Sequence, residues 1–106
     1  NDVERMYNAG LAYTNMIQDF DTAVDILKMI PEEYPDDKRA PEALFMTGFI
    51  LANSVENYDR AREIYSSFLE KYPDHELKDS VKWELEHLGR DINEIPDIEQ
   101  ISDTVS

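Results

Sequence analysis

Apolar residues recur along this chain at three- and four-residue steps, broken at regular intervals. Met6, Tyr7, Gly10, Leu11, Tyr13 and Ile17 follow that spacing and predict a first helix. Gln18-Asp19-Phe20-Asp21 interrupts it. Asp19 can accept hydrogen bonds from the free N–H groups of a new helix, and Asp21 suits that helix's positive end. Ala23, Ile26, Leu27 and Ile30 form the next stripe. Tyr34-Pro35-Asp36 stops it, because proline restricts the residue before it and cannot continue the ladder. The order then returns: a helix from Pro41 to Ser54, Asn57 as cap, a helix from Tyr58 to Tyr72, and a stop at Pro73. Pro41 is tolerated in a first turn, where its missing N–H is not needed. Pro31 is a local conflict. It lies inside its stripe where the second helical pair has Leu69, and it predicts a kink or an early end near Met29.

The return is a true repeat. Shifting the sequence by 38 places residues 1–38 on 39–76 with ten identities: Glu4/Glu42, Gly10/Gly48, Asn15/Asn53, Asp21/Asp59, Ala23/Ala61, Ile26/Ile64, Glu32/Glu70, Tyr34/Tyr72, Pro35/Pro73 and Asp36/Asp74. Chance gives roughly two or three at ordinary residue frequencies. Conservative pairs fill the gaps, such as Met6/Leu44, Tyr7/Phe45, Phe20/Tyr58 and Leu27/Tyr65. A third unit starts and stops. Trp83 falls one repeat after Phe45, and Val81, Trp83, Leu85 and Leu88 predict a short helix from about Leu77 to Leu88, closed by Gly89 in a left-handed cap. Lys78, Lys82, Glu84 and Glu86 make its outer face polar, as a helix covering the open end of a stack requires. The expected organisation is therefore repeat one at 1–38, repeat two at 39–76, a capping helix at 77–89 and an acidic tail at 90–106. The tail breaks register, with Glu99 where the repeat has Ala23 and Ala61. Composition alone favours a frayed acidic tail, but Ile92, Ile95, Ile98, Ile101 and Val105 offer apolar contacts, and docking on its own domain or a neighbouring molecule is the expectation.

Composition narrows the function classes. The 106 residues carry 24 acids against 10 bases, a formal net charge of −14. That charge argues against nucleic acid and against anionic membrane surfaces. No apolar run is long enough to span a bilayer. The absence of Cys removes disulfides, thiol nucleophiles and thiolate metal sites. The chain starts at Asn1 without a signal segment and reads as a mature or trimmed fragment.

Tyr7-Asn8-Ala9-Gly10-Leu11-Ala12-Tyr13, then Asp19-Phe20-Asp21 with Ala23 and Pro35, resemble the tetratricopeptide repeat, and Gly48, Tyr58-Asp59, Ala61, Phe68 and Pro73 match it a second time. The resemblance spans residues 1 to about 89. It implies an all-α fold, a right-handed superhelix of antiparallel helix pairs with about five helices and a C-terminal tail. Gly10 and Ala23 would let the helices of a hairpin approach closely. The period of 38 exceeds the usual 34 or so. One extra residue lies between Gly and Ala in both units, and the others lengthen the linker. Units ending in Tyr-Pro-Asp resemble those of bacterial envelope proteins of the Tol–Pal-associated and outer-membrane assembly lipoprotein types. That likeness implies a periplasmic or outer-membrane-anchored location, any lipidated Cys lying upstream of Asn1; nothing in the composition excludes the cytoplasm.

The resemblance further implies function by binding, with the first helix of each unit lining a concave groove. The groove positions would be Asn8, Leu11 and Asn15 in unit one, Glu42, Met46, Phe49 and Asn53 in unit two, and Glu84 in the third helix. Asn15 and Asn53 can bond a peptide backbone in both directions, or else end their own helices. Met46 and Phe49 form an adaptable apolar floor, or else belong to the core. The basic clamp with which co-chaperone members hold a C-terminal carboxylate has no counterpart: the matching positions are Tyr7, Leu11, Met46, Ser80 and Glu84. Basic or neutral partners are therefore expected.

Catalysis has little to stand on. His75 and His87 are twelve residues apart, unlike a helical metal pair. Asp36-Asp37 and Asp74 lack the alternating ligands of a calcium loop. Three glycines supply no phosphate loop. The leading expectation is a non-enzymatic scaffold without cofactor or metal, holding a peptide or partner protein. The alternative is a homo-oligomerising module whose tail fills a groove.

Overall fold

The computed structural model describes residues 1–89; the tail, and the docking expected of it, lie outside the described residues. These 89 residues are all-helical. The elements are α1 (Asp2–Ala12), a π-helical turn (Tyr13–Ile17), α2 (Phe20–Glu33), α3 (Arg39–Asn53), α4 (Tyr58–Lys71) and α5 (Lys78–Glu86). Each helix packs on the next in order, so α1/α2 and α3/α4 form two hairpins and α5 lies against α4.

The helix starts are where the side chains place them. Asp19 Oδ1 accepts the Thr22 N–H at 3.2 Å, and its other oxygen accepts the Thr22 hydroxyl at 2.7 Å. Asn57 Oδ1 accepts the Arg60 N–H at 3.2 Å in the second hairpin. Before each cap stands a residue with positive φ, Gln18 (61°) and Glu56 (59°), one repeat apart. The extra residue of each unit is absorbed at this corner. In the first hairpin α1 widens into the π turn, and Asp19 N–H reaches back to Tyr13 O. In the second, Val55 N–H donates to Ile50 O, five residues back. Widening a helix by one residue is what a π turn does.

Pro31 does not end α2 early. The helix runs to Glu33 and has 14 residues, as α4 does without a proline. Pro31 sits in the last turn, so the only ladder bond lost is its own, and Tyr34 N–H still closes the helix on Ile30 O at 2.8 Å. Likewise α3 starts two residues before Pro41 and α5 stops at Glu86 rather than Leu88. Gly89 is left-handed as expected, at φ 70°.

The core runs between the helices from Val3 to Val81, with Leu27, Ile30, Leu51, Tyr65 and Phe68 fully enclosed. The closest approach of each glycine within its hairpin is to the bulky residue of the facing helix. A Cβ on Gly10 would stand 2.5 Å from Leu27, and one on Gly48 would stand 2.5 Å from the Tyr65 ring. Leu27 and Tyr65 are themselves one repeat apart. The hairpins are tied by Tyr72, whose hydroxyl donates to Pro35 O at 3.0 Å.

The two ends of the stack differ from its middle. In α1, exposed Asp2 and Arg5 take the register of Ala40 and Ala43, which are buried in α3. In α5, exposed Glu86 takes the register of Gly10 and Gly48. The Glu86 side chain fills the space that glycine leaves open in α1 and α3.

Candidate functional site

The first helices of successive units are neighbours, and their junctions are where polar and aromatic side chains gather. At the first junction Arg39, at the start of α3, reaches back to α1. Its Nε donates to Glu4 Oε1 at 3.0 Å and its Nη1 to Glu42 Oε2 at 2.9 Å. The guanidinium carbon lies 4.6 Å from the centre of the Tyr7 ring, within cation–π range. The hydrogen bond from Arg39 holds the Glu4 carboxyl below its ordinary value. Burial, then the charge of Glu42, pushes the Tyr7 phenol up.

The second junction, between α3 and α5, has the same frame and different contents. Phe45 stands in the register of Tyr7, and Trp83 follows one repeat later. Leu77 replaces Arg39. Phe45, Asp79, Ser80, Trp83 and Glu84 line an open cavity of about 410 Å³. Trp83 is 55 % exposed, and its ring stacks on His87 with centroids 4.1 Å apart. His87 Nδ1 lies 2.6 Å from the Trp83 carbonyl oxygen; a carbonyl only accepts, so Nδ1 carries the proton. Glu84 is half-buried, and burial raises its pKa against a smaller lowering by His87. Behind Phe45, with ring centroids 6.1 Å apart, lies Tyr65. Its hydroxyl is buried without a hydrogen-bond partner among the described residues, and burial and the charge of Glu84 both push its pKa up. A second cavity of about 300 Å³ opens between Asn53, Tyr58, Glu84 and His87.

The tetratricopeptide repeat matches the sequence twice, at residues 6–37 and 42–75. The chain belongs to the tetratricopeptide repeat family. No curated protein and no solved structure matches it. Tetratricopeptide repeats generally mediate protein–protein interaction, and the family is typically one of non-enzymatic scaffolds. Among the described residues of this tetratricopeptide repeat chain, no three His, Cys, Asp or Glu side chains gather as a metal site would need. No described helix is long and apolar enough to cross a membrane.

The residues expected to line the groove do not all meet. Asn53 and Glu84 share the 300 Å³ cavity, and Glu84 also lines the larger one. Phe49 is 41 % exposed, with its ring 6.2 Å from Phe45, so it stands at the edge of the second junction. Met46 packs against the core, and Glu42 is paired with Arg39. Asn8 is exposed on α1, Leu11 is half-buried, and Asn15 is exposed in the π turn; none of the three lines either cavity. Asn53 Nδ2 donates to Phe49 O at 3.1 Å, so this amide closes its own helix. One expectation for α5 needs correction: Glu84, read as part of a polar outer face, is half-buried and borders the cavity that Phe45 also lines.

Sequence reasoning missed Arg39, and it aligned Tyr7, Phe45 and Trp83 by the repeat without counting that row among the groove residues. Arg39 and Glu4 are 35 residues apart, and no local spacing links them. The row was signalled by the 38-residue shift itself, but aromatics at helical spacing read equally well as core. His75 serves the fold: its Nδ1 accepts the Leu77 N–H at 3.1 Å, and its ring meets Phe68 edge-on.

Proposed function

We propose that this chain is a non-enzymatic binding module that holds a peptide or partner-protein segment along the face shared by α1, α3 and α5. The observation that carries this reading is the exposed aromatic surface at the second junction, where Trp83 and Phe49 stand in solvent beside a cavity. Solvent-facing aromatics rimmed by polar groups are what interfaces are built from. The net charge of −14 favours basic or neutral partners over acidic ones. The 38-residue units ending in Tyr-Pro-Asp support a place in a bacterial envelope, periplasmic or anchored to the outer membrane. The test is a random peptide library panned against the full chain, followed by amide-shift mapping of one enriched peptide on isotope-labelled protein. Shifts at Phe45, Phe49, Ser80 and Trp83, with binding lost in Phe49→Asp while melting is unchanged, are the expected result. Enriched peptides that shift only the outer faces of α2 and α4 would overturn it.

A further inference from the structure

The two junctions invite a comparison that only the repeat makes available. At the first, an aromatic ring and two carboxylates enclose a guanidinium: Tyr7 beneath, Glu4 and Glu42 on either side, Arg39 between. At the second, the aromatic ring is present as Phe45, joined by Trp83; the register of Glu42 holds Ser80, and the carboxylates that border the cavity come from other positions, Asp79 and Glu84. The internal cation is missing, because the register of Arg39 holds Leu77. Among the described residues neither Asp79 nor Glu84 has an ion-pair partner, and the space they border is an open cavity of about 410 Å³.

We infer that the cavity between α3 and α5 receives the guanidinium of an arginine carried by an extended partner segment, reproducing in trans the contact that Arg39 makes in cis. The inference rests on the binding-module reading above and names the chemistry of its partner. The exposed Trp83 face supplies the stacking plane, and an aromatic face attracts a planar cation by its quadrupole. Glu84 supplies charge from a partly desolvated position, where it acts more strongly than from open solvent. Arginine suits the site better than lysine, since its flat, weakly hydrated head both stacks and forks to a carboxylate. His87 stacks on one face of the Trp83 ring, which leaves the other face of the indole for the ligand.

The experiment uses two capped heptapeptides of Gly, Ser and Leu that differ only at the centre, one with arginine and one with its neutral isostere citrulline. Each is titrated into the full isotope-labelled chain, and the indole signal of Trp83, the chain's single tryptophan, reports on the site. The arginine peptide is expected to shift that signal and to bind about five- to tenfold more tightly than the citrulline peptide. Glu84→Gln is expected to erase most of the difference, and Trp83→Ala, read at the backbone amides of Phe45 and Ser80 because the indole is gone, to weaken the arginine peptide further. Equal binding of both peptides at Trp83 would overturn the guanidinium site and leave the binding face standing. Arginine-dependent shifts confined to other acidic surfaces would overturn it as well. Failure of both peptides and of every library-derived peptide to shift α1, α3 or α5 would sink the binding-module reading together with it.

Discussion

Gly48 faces a rigid aromatic ring and Gly10 a branched aliphatic side chain, and the two should not tolerate a methyl group equally. A Cβ at Gly48 meets three Tyr65 ring atoms at 2.5–3.0 Å, whereas one at Gly10 meets Leu27 Cγ and Cδ2 at 2.5 Å, and relief there requires the whole isobutyl group, not a rigid ring, to shift. Alanine favours a helix over glycine by about 1 kcal/mol, which offsets part of the clash. Gly48→Ala should still destabilise by about 1–3 kcal/mol, the range for overpacking, and by more than Gly10→Ala. Urea midpoints of the two variants check this. Glu84 gives a second residue-scale expectation. Burial raises its folded pKa, so its share of stability is complete below the ordinary glutamate value and is lost as pH rises through the raised one. Glu84→Gln should therefore melt above the native chain at pH 7 and level with it near pH 4. The same substitution is the one expected to weaken arginine binding, so a loss there could not be blamed on unfolding.

At the scale of elements, the helix boundaries rest on short side chains. Asn57→Ala removes the acceptor for the Arg60 N–H and should cost about 1 kcal/mol, seen as a lower melting temperature with unchanged helical content at low temperature. Asp19 is the equivalent cap in the first hairpin, and its bonds from Thr22 hold its carboxyl below the ordinary value. Its contribution is present above that ordinary value and fades as pH falls through the lowered one. These caps, the stops at Pro35 and Pro73, and the pairing of hairpins were legible because each depends on residues a few positions apart. Pro31 misled for the same reason. Its penalty depends on distance from the helix end, and the two residues that follow it in α2 were not visible in the pattern. The one-residue excess per unit was countable, but only the backbone tells that it goes into a widened turn before the cap. The candidate site was legible in part: the repeat register put Phe49, Asn53 and Glu84 near one another, as they lie at the second junction, while Arg39 and the exposure of Trp83 depend on which helix lies next in space.

For the whole molecule, charge is the dominant surface property. With 24 acids to 10 bases on a chain of this size, self-repulsion opposes compactness. Raising salt from about 0.05 M to about 0.5 M should raise the melting temperature, since exposed like charges are screened while the Arg39 pairs, partly covered, lose less. A melting temperature that fell with salt would mean that the Glu4–Arg39–Glu42 cluster outweighs the general repulsion.

Glu86, standing where the two hairpins have glycine, has an effect beyond its own helix. A repeat array normally carries no record of its length, because every unit offers the next the same surface. Here α5, the last described helix, carries Glu86 where α1 and α3 carry the glycine that lets the second helix of a hairpin close in, and α1 carries Asp2 and Arg5 where α3 buries alanines against α1's unit. Two copies of this chain joined head to tail would accordingly behave as two beads on a string, melting independently of one another, and not as one rod of double length with a single steeper transition.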